Sequence, residues 1–173
     1  MRSNSIPAFI FFFILFLSFQ ILLFKNLDLF NFALCFIYIG FLLLLPFDIS
    51  HILLITLAFI LGITVDIFYD TLGIHAASCV LIAYMRPYII NILTPKGGYD
   101  KVSEVSTSSM GFQWLFTYSA ILIVIHHFTL FVLEMWGIKL FFPLLAKTLA
   151  SSLFTLTVFT LFQYLFQSSR NYK

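Results

Sequence analysis

The chain has 173 residues, of which 62% are hydrophobic and 20% aromatic, while only 9% are charged; a soluble domain carries about one-quarter charged residues. This composition excludes a water-soluble globular protein. The formal charge of +2, with the basic residues scattered, gives no footing for nucleic-acid binding. Cys35 and Cys79 both fall in apolar stretches, where a free cysteine behaves as a small hydrophobe, so neither a disulfide nor a zinc pair is expected.

A bilayer core about 30 Å thick is crossed by roughly twenty apolar residues in a helix. Measured this way, the chain divides into spans near 6–24, 29–46, 52–70, 72–93, 112–133 and 140–167. The first follows Arg2 but has the length of a span, and no small-x-small site ends it, so it is read as retained and not as a secretory signal. The links around Lys25, Asp48 and Asp70 are so short that neighbouring helices must be antiparallel hairpins. Residues 94–111, rich in Gly and Ser, read as a mobile cytoplasmic loop. With the N-terminus inside, Arg2, Arg86, Lys96, Lys101, Arg170 and Lys173 fall on the cytoplasmic side, and only Lys25 and Lys139 fall outside. The expected fold is an all-α integral membrane protein: one polytopic domain, a six-transmembrane-helix bundle with both ends in the cytoplasm, surrounded by membrane lipid.

Ala58, Gly62, Asp66 and Asp70 are each four apart and share one helical face, two small residues below two carboxylates. Small residues admit a close helix, and an aspartate at membrane depth should face protein or a wet cavity. This face is therefore expected to be a packing seam. Gly73 and Ala77 form a second small pair on the fourth span, and either set is a candidate for internal packing or for docking a partner.

The stretch from Leu61 to Ala76, with Gly62-x-x-x-Asp66 followed by Leu72-Gly73 and a small residue, resembles the rod shape-determining protein MreD family. The chain length, the number of spans and the basic residue soon after, Arg86, fit the same resemblance. It implies a non-enzymatic inner-membrane component of the bacterial cell-elongation machinery. The implied partners are an MreC-like shape-determining protein and other membrane proteins of the elongation complex. Gly62, Asp66, Leu72 and Gly73 would hold motif positions, with no catalytic or ligand role.

In the expected orientation Asp66, His126, His127 and Lys147 all lie in the outer half of the bilayer. One reading joins them in a polar pocket open to the outer face, with Asp66 and Lys147 compensating one another and Lys147, Ser151 and Thr155 forming a polar edge on the last span. The other lets Lys147 snorkel to the headgroups and the histidines serve in helix packing; being consecutive, they point about 100° apart, so at most one faces a shared site. Asp70, His75 and Glu134 read as interfacial residues.

No catalytic constellation is expected, and no cofactor or metal. Asp66 and Asp70 stand on one helix, whereas carboxylates that share a proton normally face each other from different elements. His126-His127 lacks the His-Glu-x-x-His spacing of a metal hydrolase. The rival reading is the substrate-capturing subunit of an energy-coupling-factor vitamin transporter, which is also a small six-helix protein with an outward pocket. Against it stands the scarcity of Asn, Gln, Trp and Arg around the candidate site.

Overall fold

The structure is a computed structural model that describes residues 6–30, 32–95, 98–99, 105–136 and 141–166, the side chains of Ile6, Ala8 and Phe166 excepted. Helix α1 (Ile6–Phe19) runs directly into a π turn, Gln20–Phe24, so together they cover the first expected span. The helix widens where Gln20 turns into the interior, and Gln20 is fully buried there. A two-residue hairpin follows, β1 (Asp28–Leu29) against β2 (Ala33–Leu34), with Asp28 opposite Leu34 and Leu29 opposite Ala33.

The helix expected over 29–46 does not form. After β2 the chain passes through turns to a short helix, α2 (Ile39–Leu43), and ends at Pro46 with residues 35–43 buried throughout. Irregular backbone at membrane depth is tolerated only where protein satisfies its polar groups, and facing helices do so here. The Ser151 hydroxyl accepts from the Leu34 N–H at 3.0 Å, and the Thr155 hydroxyl accepts from the Phe36 N–H at 3.0 Å. The Gln20 amide accepts from Tyr38 N–H at 3.4 Å and donates to the Cys35 carbonyl at 3.1 Å.

The remaining long helices agree with expectation to within two residues at each end: α3 (His51–Tyr69), α4 (Ile74–Ile92), α6 (Phe112–Glu134) and α7 (Phe141–Phe166), with a single turn, α5 (Thr107–Met110), before α6. The α3 start is capped by Ser50, whose hydroxyl accepts from Leu53 N–H. Packing is closest between α3 and α4, α6 and α7, and α4 and α6, while α7 also holds β2 and α1 lies against α2. The bundle thus wraps the irregular segment on several sides, and aromatic and aliphatic side chains fill the space between.

α3, α6 and α7 are long and apolar enough to cross a membrane. α4 matches α3 in length but carries His75, Ser78, Arg86 and Asn91, and α1 with its π turn is a shorter apolar helix. The protein is therefore mostly helical with three clear candidate membrane spans, as in an α-helical membrane protein. Of the basic residues used for orientation, Arg2, Lys96, Lys101, Lys139, Arg170 and Lys173 lie outside the described residues. Arg86 is buried inside α4 and is not a loop charge.

Candidate functional site

The Gly62–Asp66 motif builds a hairpin clamp between α3 and α4. At Gly62 the helices meet so closely that an added Cβ would stand 2.4 Å from the Ala76 Cα, so only glycine fits. One turn on, the Asp66 carboxylate reaches across the hairpin and accepts from the backbone N–H groups of His75, at 3.0 Å, and Ala76, at 2.9 Å. These are orphan donors of the first turn of α4, so a residue from the preceding helix caps the next one, with its negative charge at the positive end of the helix dipole. The Thr71 hydroxyl also donates to Asp66. The turn between the helices is made by Asp70 and Gly73, both left-handed, at φ of 55° and 84°.

The seam residues therefore divide. Ala58, Gly62 and Asp66 are all buried, as the four-residue spacing implies, and Gly62 and Asp66 meet α4. Asp70 departs from that face, because the chain leaves the helix there, and it is exposed. Leu72 stands 97% exposed in the turn, and Ala77 is also exposed. The small residue that meets the seam is Ala76, the neighbour of the expected Ala77. Nothing crowds Gly73, whose glycine serves the backbone angle alone.

A second network occupies the middle of the bundle. The Tyr38 hydroxyl lies 2.8 Å from His75 Nδ1 and 2.8 Å from His126 Nε2. A phenol has one proton, so it donates to one ring and accepts an N–H from the other. The Phe36 ring sits among three imidazoles, with centroids 5.3 Å from His75, 6.1 Å from His126 and 5.2 Å from His127. His127 turns the other way, its Nδ1 2.8 Å from the Ile123 carbonyl and its Nε2 3.0 Å from the Thr155 hydroxyl. The two histidines thus diverge as their helical positions require, yet both hold the same irregular segment, His126 through Tyr38 and His127 through Thr155. Gln20 adds a bond to the Tyr69 hydroxyl at 2.6 Å.

Arg86 forms the third network. It is buried, donates from Nε to the Tyr118 hydroxyl at 2.7 Å and from its fork to the carbonyls of Leu45 and Pro46, while Tyr118 donates to the Leu43 carbonyl at 3.1 Å. Leu43 ends α2 and Leu45 and Pro46 follow it, so no further turn of helix bonds these carbonyls. The guanidinium has no carboxylate partner among the described residues and stands instead at the negative end of the short helix.

The expected outer pocket is not formed as an open site. Asp66, His126 and His127 are buried and closed off from the surface. Lys147 does not reach Asp66: its Nζ lies 3.2 Å from a Glu134 carboxylate oxygen and 4.4 Å above the Phe131 ring. The reason is that the α4 amides already supply what Asp66 needs, while Glu134, at the end of α6, stands beside Lys147 near the start of α7. Ser151 and Thr155 do form a polar edge, and the backbone of the β2 strand and the chain after it covers it. No group of His, Cys, Asp and Glu with the geometry to hold a metal occurs among the described residues.

Sequence reasoning missed Gln20, Tyr38 and the burial of His75 and Arg86. The signal available was a glutamine inside a Phe-rich span and an arginine inside another, each too costly in hydrocarbon to lack a protein partner. No protein-family model matches this chain, and no curated protein or solved structure matches it either.

Proposed function

We propose that this protein is a non-enzymatic scaffold of the bacterial inner membrane, similar in role to the MreD family. In this reading it crosses the bilayer six times with both ends in the cytoplasm and holds an MreC-like partner in the cell-elongation complex. The observation that carries the reading is the hairpin clamp. Gly62, Asp66 and Gly73, three of the residues of the resemblance, make one structural unit in which each has a mechanical task, while Leu72 stands exposed in the same turn. The second crossing is then the irregular segment 33–46, which runs from contacts with Ser151 and Thr155 at one end to Arg86 and Tyr118 at the other. The interior polar side chains bind backbone and one another, a use suited to a rigid support.

Depletion of the protein in its own host, with tagged protein purified in parallel, tests the reading. Rod-shaped cells are expected to round up, and a single-span protein with a large outside domain is expected to co-purify. Unchanged cell shape, together with co-purification of an ATPase module and a retained small ligand, contradicts it.

A further inference from the structure

The hydrogen bonds at the centre of the bundle run in one direction, and a single unmet atom sets it. His126 Nδ1 is fully buried and has no hydrogen-bond partner. A buried N–H without an acceptor is the rarer and costlier kind of unmet group, so this ring carries its proton on Nε2 and leaves Nδ1 bare. Nε2–H then donates to the Tyr38 hydroxyl, and Tyr38 gives its own proton to His75 Nδ1, both at 2.8 Å. His75 in turn holds its proton on Nε2, and no atom of His75 is among the buried polar atoms left unpartnered. His127 is wired apart from this chain. A carbonyl can only accept, so its Nδ1–H donates to Ile123 and its Nε2 accepts from the Thr155 hydroxyl.

We propose that His75, Tyr38 and His126 form an acid-sensitive latch, in which one proton taken up by His75 unseats the Tyr38 side chain and loosens the irregular segment. Doubly protonated, His75 donates from Nδ1 and no longer accepts, so Tyr38 must send its proton elsewhere. Sent to His126 Nε2, it drives the proton of that ring to Nδ1, where nothing accepts it. Sent to Cys79, the other group beside the phenol, it meets a sulfur, which is a weak acceptor. One proton enters from water, and only N–H and O–H bonds change. Either way Tyr38 loses its good acceptor. His75 is the ring placed to take the proton: it stands in the first turn of α4, 3% exposed and 5.1 Å from the half-buried Tyr69 ring, while His126 and His127 are 0% exposed. The titratable groups that face the latch are Asp66 and Tyr69 from α3, Cys79 from α4 and His127 from α6. Cys35 in the segment lies beside Tyr69, and Lys25, after the π turn, stands 5.8 Å from the Tyr69 ring centroid. α7 and the π turn offer the uncharged Thr155 and Gln20. Asp66 is the one carboxylate of this set, and it is bonded to the His75 backbone N–H, so the counter-charge stands beside His75. The latch does not depend on the scaffold reading.

Cys79, with its Sγ 4.0 Å from His126 Nε2, reports on the state of the latch. The full chain in membranes is treated with dithiodipyridine, a disulfide that stays reactive towards thiols in acid, in steps from about pH 7.5 down to about pH 4, across and below the ordinary histidine range. Modified Cys79 is measured by mass spectrometry, relative to the same thiol in the unfolded chain. The expected result is a closed Cys79 near neutrality and a reversible gain of about tenfold in acid, the size of one lost buried hydrogen bond. His75→Gln keeps an amide oxygen to accept from Tyr38 and has nothing to titrate, so its Cys79 should stay closed throughout. A gain that persists in His75→Gln assigns the response to Asp66 or another group and overturns the proposal, as does the absence of any gain in the unsubstituted chain. Should His75→Gln fail to fold, solid-state NMR of the unsubstituted chain with isotope-labelled histidine decides. His75 is expected to be the first of the three buried rings to gain a second proton, at the pH where Cys79 opens. A second proton appearing first on His126 or His127, or an open Cys79 beside a neutral His75, overturns the latch.

Discussion

Gly62 and Gly73 stand eleven residues apart in one motif for different physical reasons, and substitution separates them. Gly62→Ala puts a methyl into backbone at 2.4 Å, so α3 and α4 must move apart, at a cost of about 1–3 kcal/mol. Gly73 has open space around it and needs only its left-handed angle. Asparagine tolerates that region. Gly73→Asn is therefore expected to keep the thermal midpoint of the purified protein within a few degrees, whereas Gly62→Asn should lower both the midpoint and the yield of folded protein. Equal losses at the two positions would contradict the clamp.

Asp66 makes the same distinction for charge. Because its partners are amides of α4 and not Lys147, Asp66→Lys should destabilise the fold with no rescue from Lys147→Asp. The exchange Lys147→Glu with Glu134→Lys should be nearly silent, since a partly exposed ion pair contributes about 0–1 kcal/mol. Thermal unfolding of the single and double variants, followed by size exclusion, checks both. Restoration of the Asp66→Lys variant by Lys147→Asp would place the two residues together after all.

For the elements, the irregular segment is where sequence and structure part. The run 29–46 is apolar and long enough to span, so hydropathy reads it as helix. What replaces the helix is a set of donors and acceptors on other elements, Gln20, Ser151, Thr155, Tyr118 and Arg86, whose convergence is a property of the tertiary fold. Helices α3, α6 and α7 were legible because length and apolar content alone define them, and α4 was legible from its length between short links despite His75, Ser78, Arg86 and Asn91. The Ala58, Gly62 and Asp66 seam was legible from its spacing, and so was the Ser151 and Thr155 edge. Their partners were not, because nothing local distinguishes a face that meets a helix from one that meets a strand. The outer pocket failed for a related reason: equal depth places residues in one layer of the membrane but does not turn them toward each other.

Arg86 gives the segment its most direct test. The planar fork reaches Tyr118 and two carbonyls at once, which a lysine ammonium on its flexible stem cannot reproduce. Arg86→Lys should leave at least one buried carbonyl unmet, a loss of about 1–3 kcal/mol, and should expose the 43–46 region to limited proteolysis before the rest of the chain. A lysine variant as stable and as protease-resistant as the parent would show that α2 is held by other means.

Over the whole molecule, the polar groups of the interior form a frame around a non-helical segment, and Phe36 lies at its centre among three imidazoles. Such a frame loses rigidity wherever a member is half satisfied, and among the described residues His126 Nδ1 is buried without a hydrogen-bond partner. The open apolar grooves are instead at the periphery, between α6 and α7 and along α1 and its π turn.

The two native cysteines report on the centre without any substitution. Cys35 lies in the irregular segment, 1% exposed, and Cys79 lies 4.0 Å from His126 Nε2, fully buried. With the folded protein in membranes and a water-soluble maleimide applied from either side, neither thiol is expected to react, and both should react once the chain is unfolded in detergent and denaturant. Rapid labelling of Cys35 in the folded protein would mean that the centre is an open pocket and that the closed frame described here is wrong.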